Sequence, residues 1–505
     1  MREKIDITVL SLPFLSVIGL CIIFVLWPGQ AVDGLFVLRG FLGNELGWFY
    51  LLIGLGVFLL SMFLAFSNYG KIRLGDSDKP EFSNFKWGAM IFTSTMAADI
   101  LYYSCIEWAL YGNESRMEEL GGMQLGASTY PLFHWGPIPW SFYIVLAVAF
   151  GFMLHVRKRT RQCFSEACRP ILGRYTDGPL GKGINLLAVF ALLAGTATTF
   201  SLATPLLAEG IGDLFRIENS VYLTIGILIL VAVIYTFAVM FGMRGISIAA
   251  SMCTWLFFGL IAWVLFAGGE ALYIVETGIS AIGNLMQNFI GMTTFTDPLR
   301  ETGNGVTGFV QDWTVFYWAY WLVWCVATPF FIGVISKGRT IRNVVLGGYI
   351  SGLAGTFTSF IVFGNYGLAQ QMKGRLDVMG NIAKGVPVPT VILEIFHTLP
   401  GSKVAILLLI VTMLSFYSTT FDSLTMVISC YSYKKLPAEE TPDRKIRAFW
   451  SIIFIILPIG LIFSENSMNS LQSLAIIAAF PITFVLLLIM ASFFKDVKQH
   501  QQEQQ

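Results

Sequence analysis

The sequence predicts an all-α membrane protein that crosses the bilayer many times. Of its 505 residues, 55% are hydrophobic and only 12% charged, whereas soluble proteins carry about 25% charged residues. The apolar residues gather into repeated runs of roughly 20, the length at which a helix crosses the hydrocarbon core. A bilayer offers backbone groups no water, so continuous helices satisfy them.

Twelve spans are expected: 7–28, 46–68, 86–111, 132–155, 184–208, 219–242, 248–275, 313–336, 342–364, 402–430, 446–464 and 471–494. The first follows "MREK" and reads as a signal anchor; a cleavable signal peptide is the lesser alternative, since no clean A-x-A site comes after it. The third contains two acids, Asp99 and Glu107. The fourth begins at Pro137 and Pro139, because proline is tolerated in a first helical turn. Segments 276–312 and 365–401 are long for connections and are expected to be partly structured. Within the second of these, "VPVPTVILEIFHTLP" suits a short helix at the membrane surface. The eighth span is dominated by rings and the tenth carries "FYSTTFD". The last leads into the tail "KDVKQHQQEQQ", too short for a regulatory domain. The 49 glycines, the run "GLAGTFTS" among them, read mainly as small residues that let helices approach.

Three quarters of the 32 Lys and Arg fall in segments on the same side as the N-terminus. By the positive-inside rule this puts both termini in the cytoplasm and the chain in the plasma (inner) membrane. A formal net charge of +1 gives no footprint for nucleic acid. The seven Cys fall in spans or cytoplasmic loops, so no external disulfide framework is implied. No Cys/His cluster has metal-site spacing, and the four His form no H-E-x-x-H pattern. Neither a metal nor an organic cofactor is expected. A membrane enzyme would need a nucleophile paired with a base, or a metal cluster, at recognisable spacing. No such spacing is present.

"QDWTVFYWAYWLVWC", residues 311–325, places seven aromatic rings in fifteen positions. At 100° per residue, Trp313, Tyr317, Tyr320 and Trp324 fall within about 60° of one another, with Trp321 about 60° beyond Trp324. An interfacial aromatic belt accounts for Trp313 at the span's end. It does not account for Trp324, about 16 Å further along the helix. A deep aromatic face suits a cation that cannot donate hydrogen bonds, such as a quaternary ammonium group. "FHWGPIPWSFY" adds Trp135, Trp140 and Tyr143 in a separate part of the chain. Two ring-rich helices facing one cavity would make an aromatic cage. Such a cage favours saturable binding over channel conduction.

"DWTVFYWAYW" followed by "ISKGRTIR", together with "FHWGPIPW" and the "IEW" of Glu107–Trp108, resembles the betaine/carnitine/choline transporter family along nearly the whole chain. The resemblance implies a LeuT-like fold of two five-helix inverted repeats and assembly as a homotrimer. Residues 1–85 would hold two additional helices, 86–275 the first repeat and 276–312 an external connector. The second repeat would occupy 313–494 and a short cytoplasmic tail 495–505. The substrate cage would be Trp135, Trp140, Tyr143 and Trp321. Trp313, Tyr320 and Trp324 would line a route to the cytoplasm, with Tyr320 standing where tryptophan is usual.

Charges inside a membrane are costly and point to function. Asp99 lies in "STMAADILYY", where the resemblance implies an unwound segment beside the substrate. Betaine-selective relatives tend to have glycine there, and choline-transporting ones can have Asp. A carboxylate would balance choline and repel zwitterions such as betaine and carnitine. A structural Asp capping a broken helix is the competing reading. The resemblance also implies a sodium site at the Thr419 and Thr420 hydroxyls with carbonyls near Thr93, Met96 and Phe416. Cation-independent exchangers of the family have Arg in the seventh span, where this chain has Cys253. The expectation is symport of choline or a close relative with Na+ or H+. A carnitine, betaine or γ-butyrobetaine antiporter and a glycine betaine symporter are the alternatives. Glu107 and Asp422 are expected to hold helices together.

Overall fold

The computed structural model describes residues 5–218, 220–238, 242–302, 307–436, 440–462 and 467–503. Helices stand at all twelve expected positions. Seven are long and apolar enough to cross a membrane, or nine when each of two bent pairs counts as one span. The other three, α1 (Ile7–Leu26), α9 (Val221–Ala238) and α18 (Arg444–Ile462), are not among these nine. Between them run α2 (Pro28–Arg39), α3 (Gly47–Phe66), α4 (Asn84–Thr93), α5 (Ala97–Tyr111), α6 (Met123–His134), α7 (Pro137–Gly151) and α8 (Pro179–Phe215). The chain continues through α10 (Gly242–Ala262), α11 (Ala271–Thr294), α12 (Val315–Trp324), α13 (Thr328–Ile335), α14 (Ile341–Ser359) and α15 (Asn365–Met372). After these come α16 (Val388–His397) and α17 (Ser402–Tyr431), and α19 (Ser467–Glu503) closes the described chain.

Two spans are broken, each for a local reason. Between α4 and α5 the axis bends by 68°. There Thr93, Ser94 and Thr95 donate their hydroxyls to the carbonyls of Ala89, Ile91 and Phe92 at 2.9, 3.2 and 2.6 Å. Such local bonds compete with the helical ladder. The break thus falls at Ser94–Met96, and Asp99 sits in the first turn of α5. Between α12 and α13 the bend is 51°. Pro329 in the first turn of α13 cannot donate to the preceding turn and clashes with it.

Three expected boundaries change. The seventh span ends at Ala267 rather than 275, because Gly268 and the positive-φ Gly269 turn the chain. The expected connector 276–312 is largely helix α11, with Thr277, Gly278, Ala281 and Leu285 buried. The tail continues α19 as helix to Glu503 and docks on the basic loop after α7. There Arg159 donates to Asp496 at 2.7 Å and Arg157 to Glu503 at 2.5 Å. The surface helix expected in 386–400 is α16. Asp422 of α17 pairs with Arg447 of α18 at 2.5 Å, both buried, so this acid joins two helices.

Candidate functional site

The two ring-rich segments meet. Trp321 of α12 lies 5.6 Å from Trp135, 5.2 Å from Trp140 and 4.8 Å from Tyr143, measured between ring centroids. Trp140 and Tyr143, both on α7, stand 5.9 Å apart and nearly perpendicular. All four rings are wholly buried. A cation binds within about 6 Å of a ring centroid, and rings in mutual contact must part slightly to admit one. The indole N–H groups of Trp140, Trp321 and Trp324 have no hydrogen-bond partner among the described residues. Buried polar groups are rarely left so.

Trp140 is held from behind by glycine. A Cβ on Gly352 of α14 would stand 2.5 Å from Trp140 Cδ2 and Cε2, and one on Gly355 would stand 2.2 Å from Phe92 Cε2. The "GLAGTFTS" run therefore seats a ring of the cluster. Gly352→Val is expected to destabilise the protein by about 1–3 kcal/mol through overpacking and to weaken ligand binding at the rings. Thermal unfolding and ligand titration of the purified variant check both effects.

Asp99 is wholly buried. Thr199 of α8 donates its hydroxyl to Asp99 Oδ2 at 2.7 Å and stands 3.0 Å from the Tyr320 hydroxyl. Asp99 Oδ1 has no partner among the described residues. The carboxylate lies within electrostatic reach of Tyr143. One carboxylate oxygen is thus anchored by Thr199, with the Tyr320 hydroxyl next to that bond. Thr199 was not singled out by sequence, because it is one of several hydroxyls in "GTATTFS", and such hydroxyls usually bond their own helix.

Behind Trp135 lies a second acid. Glu107 Oε2 accepts the Trp135 indole N–H at 2.7 Å, and Oε1 accepts the Tyr111 hydroxyl at 2.8 Å. His134 Nδ1 is 3.1 Å from Oε1, and its Nε2 is 3.1 Å from Thr314 Oγ1.

At the first break, the Thr420 hydroxyl reaches the carbonyls of Thr93 (2.9 Å) and Thr95 (2.8 Å). The Thr419 hydroxyl lies 3.3, 3.2 and 3.1 Å from the carbonyls of Thr93, Ser415 and Phe416. Two hydroxyl hydrogens face four carbonyl oxygens here, so acceptors outnumber donors. Hard cations take such neutral oxygen sets. The Met96 carbonyl accepts the Ile100 N–H at 2.8 Å as part of the helix, and the Thr95 carbonyl faces Thr420.

The aromatic face expected on residues 313–324 runs on regular helix from Val315 to Trp324. The backbone over Val310–Thr314 makes a wide turn, so 100° per residue does not hold there. Trp313 packs on Tyr111 at 5.2 Å and Tyr317 at 6.4 Å, at the opposite end of the span from Trp324. Tyr320 bonds into the Asp99 pair. Trp324 lies 6.5 Å from Phe421, against Gly195 and one residue before the second break. Beyond α13 a cavity of about 710 Å³ is lined by Leu154, His155, Val334, Lys337, Met426 and Cys430, among others.

Comparison with known proteins bears on this arrangement. Residues 8–502 match the family model described as "BCCT, betaine/carnitine/choline family transporter". The glycine betaine transporter OpuD of Bacillus subtilis (strain 168) is 30% identical over 509 aligned positions, covering 98% of this chain and 96% of that protein. The high-affinity choline transport protein of Escherichia coli (strain K12) is 28% identical over 94% of this chain and 68% of its own length. Among solved structures, the substrate-bound outward-open state of a Na+-coupled sialic acid symporter covers 90% of this chain and 87% of its own. Its identity is 12% and its TM-score 0.44.

Proposed function

The chain belongs to the betaine/carnitine/choline family of transporters, and from that premise we propose that it imports choline or a close relative by cation-coupled symport. The observation that carries the choice is the buried Asp99, whose carboxylate lies within electrostatic reach of Tyr143, one of four rings in mutual contact. A trimethylammonium head has no N–H to donate, and ring faces replace its water through cation–π and dispersion contacts. Choline brings one positive charge to this carboxylate. Glycine betaine, named for the Bacillus relative, is the second reading, but its own carboxylate would meet Asp99.

Sodium is the coupling ion favoured by the oxygen set at Thr93, Thr95, Phe416, Thr419 and Thr420, with H+ as the alternative. Cys253 lies beside Thr419 and carries no fixed positive charge, which disfavours cation-independent exchange. Trp324 and the cavity beyond α13 would form the cytoplasmic exit. Leu272, Ile279, Met286 and Ile290 leave an exposed apolar face on α11, which suits burial between copies in a homotrimer.

The test is a binding panel of choline, glycine betaine, carnitine and γ-butyrobetaine, with and without Na+. Choline should bind tightest, and more tightly with the ion. A zwitterion in first place would reject the substrate assignment. Trp321 touches each of the other three rings, so Trp321→Ala should weaken choline by about 1–2 kcal/mol, roughly tenfold in Kd. Unchanged affinity in folded Trp321→Ala protein would move the site elsewhere.

A further inference from the structure

Glu107 and His134 are wholly buried in the membrane-spanning part of the chain, yet neither belongs to the ring cage or to the oxygen set at the first break. Among the described residues, the one basic side chain within ion-pair distance of Glu107 is His134. The pair is tied to three helices. Trp135 and Tyr111 donate to Glu107 at 2.7 and 2.8 Å, and His134 spans from Glu107 to Thr314. The His134 ring stacks on Tyr317 at 4.6 Å and tilts against Tyr130 at 5.2 Å. Arg116 donates to the Tyr130 hydroxyl at 2.9 Å, one group further out. Tyr103 faces Glu107 from its own helix, and Asp99 lies two turns away on that helix.

This geometry accommodates two proton counts without stranding a polar group. With the pair deprotonated overall, the Glu107 carboxylate accepts His134 Nδ1–H, and Nε2 accepts the Thr314 hydroxyl. One added proton places N–H on Nε2, which then donates to Thr314 Oγ1. The proton count at Nδ1–Glu107 can then be that of an imidazolium beside a carboxylate or of a neutral imidazole beside a carboxylic acid. The same heavy-atom contacts persist, with the Thr314 hydroxyl changing from donor to acceptor, and the charge of the pair changes from −1 to 0. The indole of Trp135 conducts that change to the cage, because its N–H is bonded to the carboxylate while its ring contacts Trp321.

We propose that Glu107 and His134 form a proton-binding pair that positions Trp135 and sets the affinity of the ring cage for a quaternary ammonium ligand. The inference rests on the cage reading but not on sodium or on Asp99. Deprotonation leaves a negative charge behind the ring and strengthens its acceptor, so cation affinity rises with pH. Attraction between unit charges about 7 Å apart, discounted for water and desolvation, sets a change of about tenfold.

Choline is the probe, because its own charge is constant over the pH range needed. Equilibrium binding of radiolabelled choline to purified full-length protein, at fixed Na+, should tighten about tenfold from about pH 6 to about pH 8. The two members of the pair should then err in opposite directions. Glu107→Gln is neutral at every pH and should hold the weak, acidic affinity throughout. His134→Asn keeps an N–H for Glu107 but removes the imidazole that takes the added proton at Nε2, and should hold the tight, alkaline affinity. Asp99→Asn should lower affinity while preserving the ratio between the two pH values. A packing role alone would lower affinity in both pair variants without separating them, and that result overturns the proposal. So does a ratio that disappears in Asp99→Asn and persists in His134→Asn. Absence of choline binding by the wild type at every pH would overturn the cage reading, and this inference with it.

Discussion

Asp99→Gly is expected to invert the order of preference, losing choline and gaining glycine betaine or carnitine in relative affinity. Unit charges about 4 Å apart attract by about 4 kcal/mol at an effective dielectric of 20. Desolvation of the buried carboxylate offsets much of that, so a change in selectivity of about one to two decades is the expected scale. Asp99→Asn separates charge from shape. It keeps similar volume, and its amide can still accept from Thr199, which holds the native Oδ2 at 2.7 Å. It should weaken choline binding without a matching loss for the zwitterions. Competition of unlabelled betaine and carnitine against bound choline reads both effects. If both variants retain the wild-type order, Asp99 is a structural cap on α5 and the case for choline falls with it.

The spans were legible because bilayer physics demands long apolar helices, and their run lengths survive in a single sequence. Their breaks were less so. Gly268, Gly269 and Glu270 lie between two apolar runs, and reading those runs as one carried the seventh span on to 275 and hid the start of α11. Pro329 was visible, but a proline in a span can kink it or be absorbed by it, and only the packing decides. The aromatic stretch signalled a cation site through residue type, since leucine would serve a merely apolar face. Ideal helical periodicity holds from Val315 to Trp324 but not over Val310–Thr314, where the turn is wide. Partners distant in sequence stayed hidden: Thr199 on Asp99, His134 on Glu107, Arg447 on Asp422. Each bond joins helices whose approach no local pattern records.

Replacing both Thr419 and Thr420 with alanine is expected to abolish sodium stimulation of transport. Thr420 Oγ1 stands between the carbonyls of Thr93 and Thr95, and Thr419 Oγ1 links Thr93 to Phe416. Removing both hydroxyls deletes two of the oxygens a hard cation would use and leaves carbonyls at the broken helix with fewer donors. A lost buried hydrogen bond costs about 1–3 kcal/mol when its partner is left unsatisfied, so the double variant should also unfold at lower temperature. Ser substitutions discriminate between the two effects. Thr419→Ser with Thr420→Ser keeps each hydroxyl and should keep the ion response, while alanine should not. Uptake of radiolabelled choline into proteoliposomes, under imposed sodium or proton gradients, gives the measurement. Sodium-dependent accumulation that persists in the folded double-alanine protein would remove the ion from this site. Wild-type uptake that ignores sodium and collapses with the proton gradient would do the same. The second outcome would leave cation coupling intact and shift it to the titratable groups facing the cage.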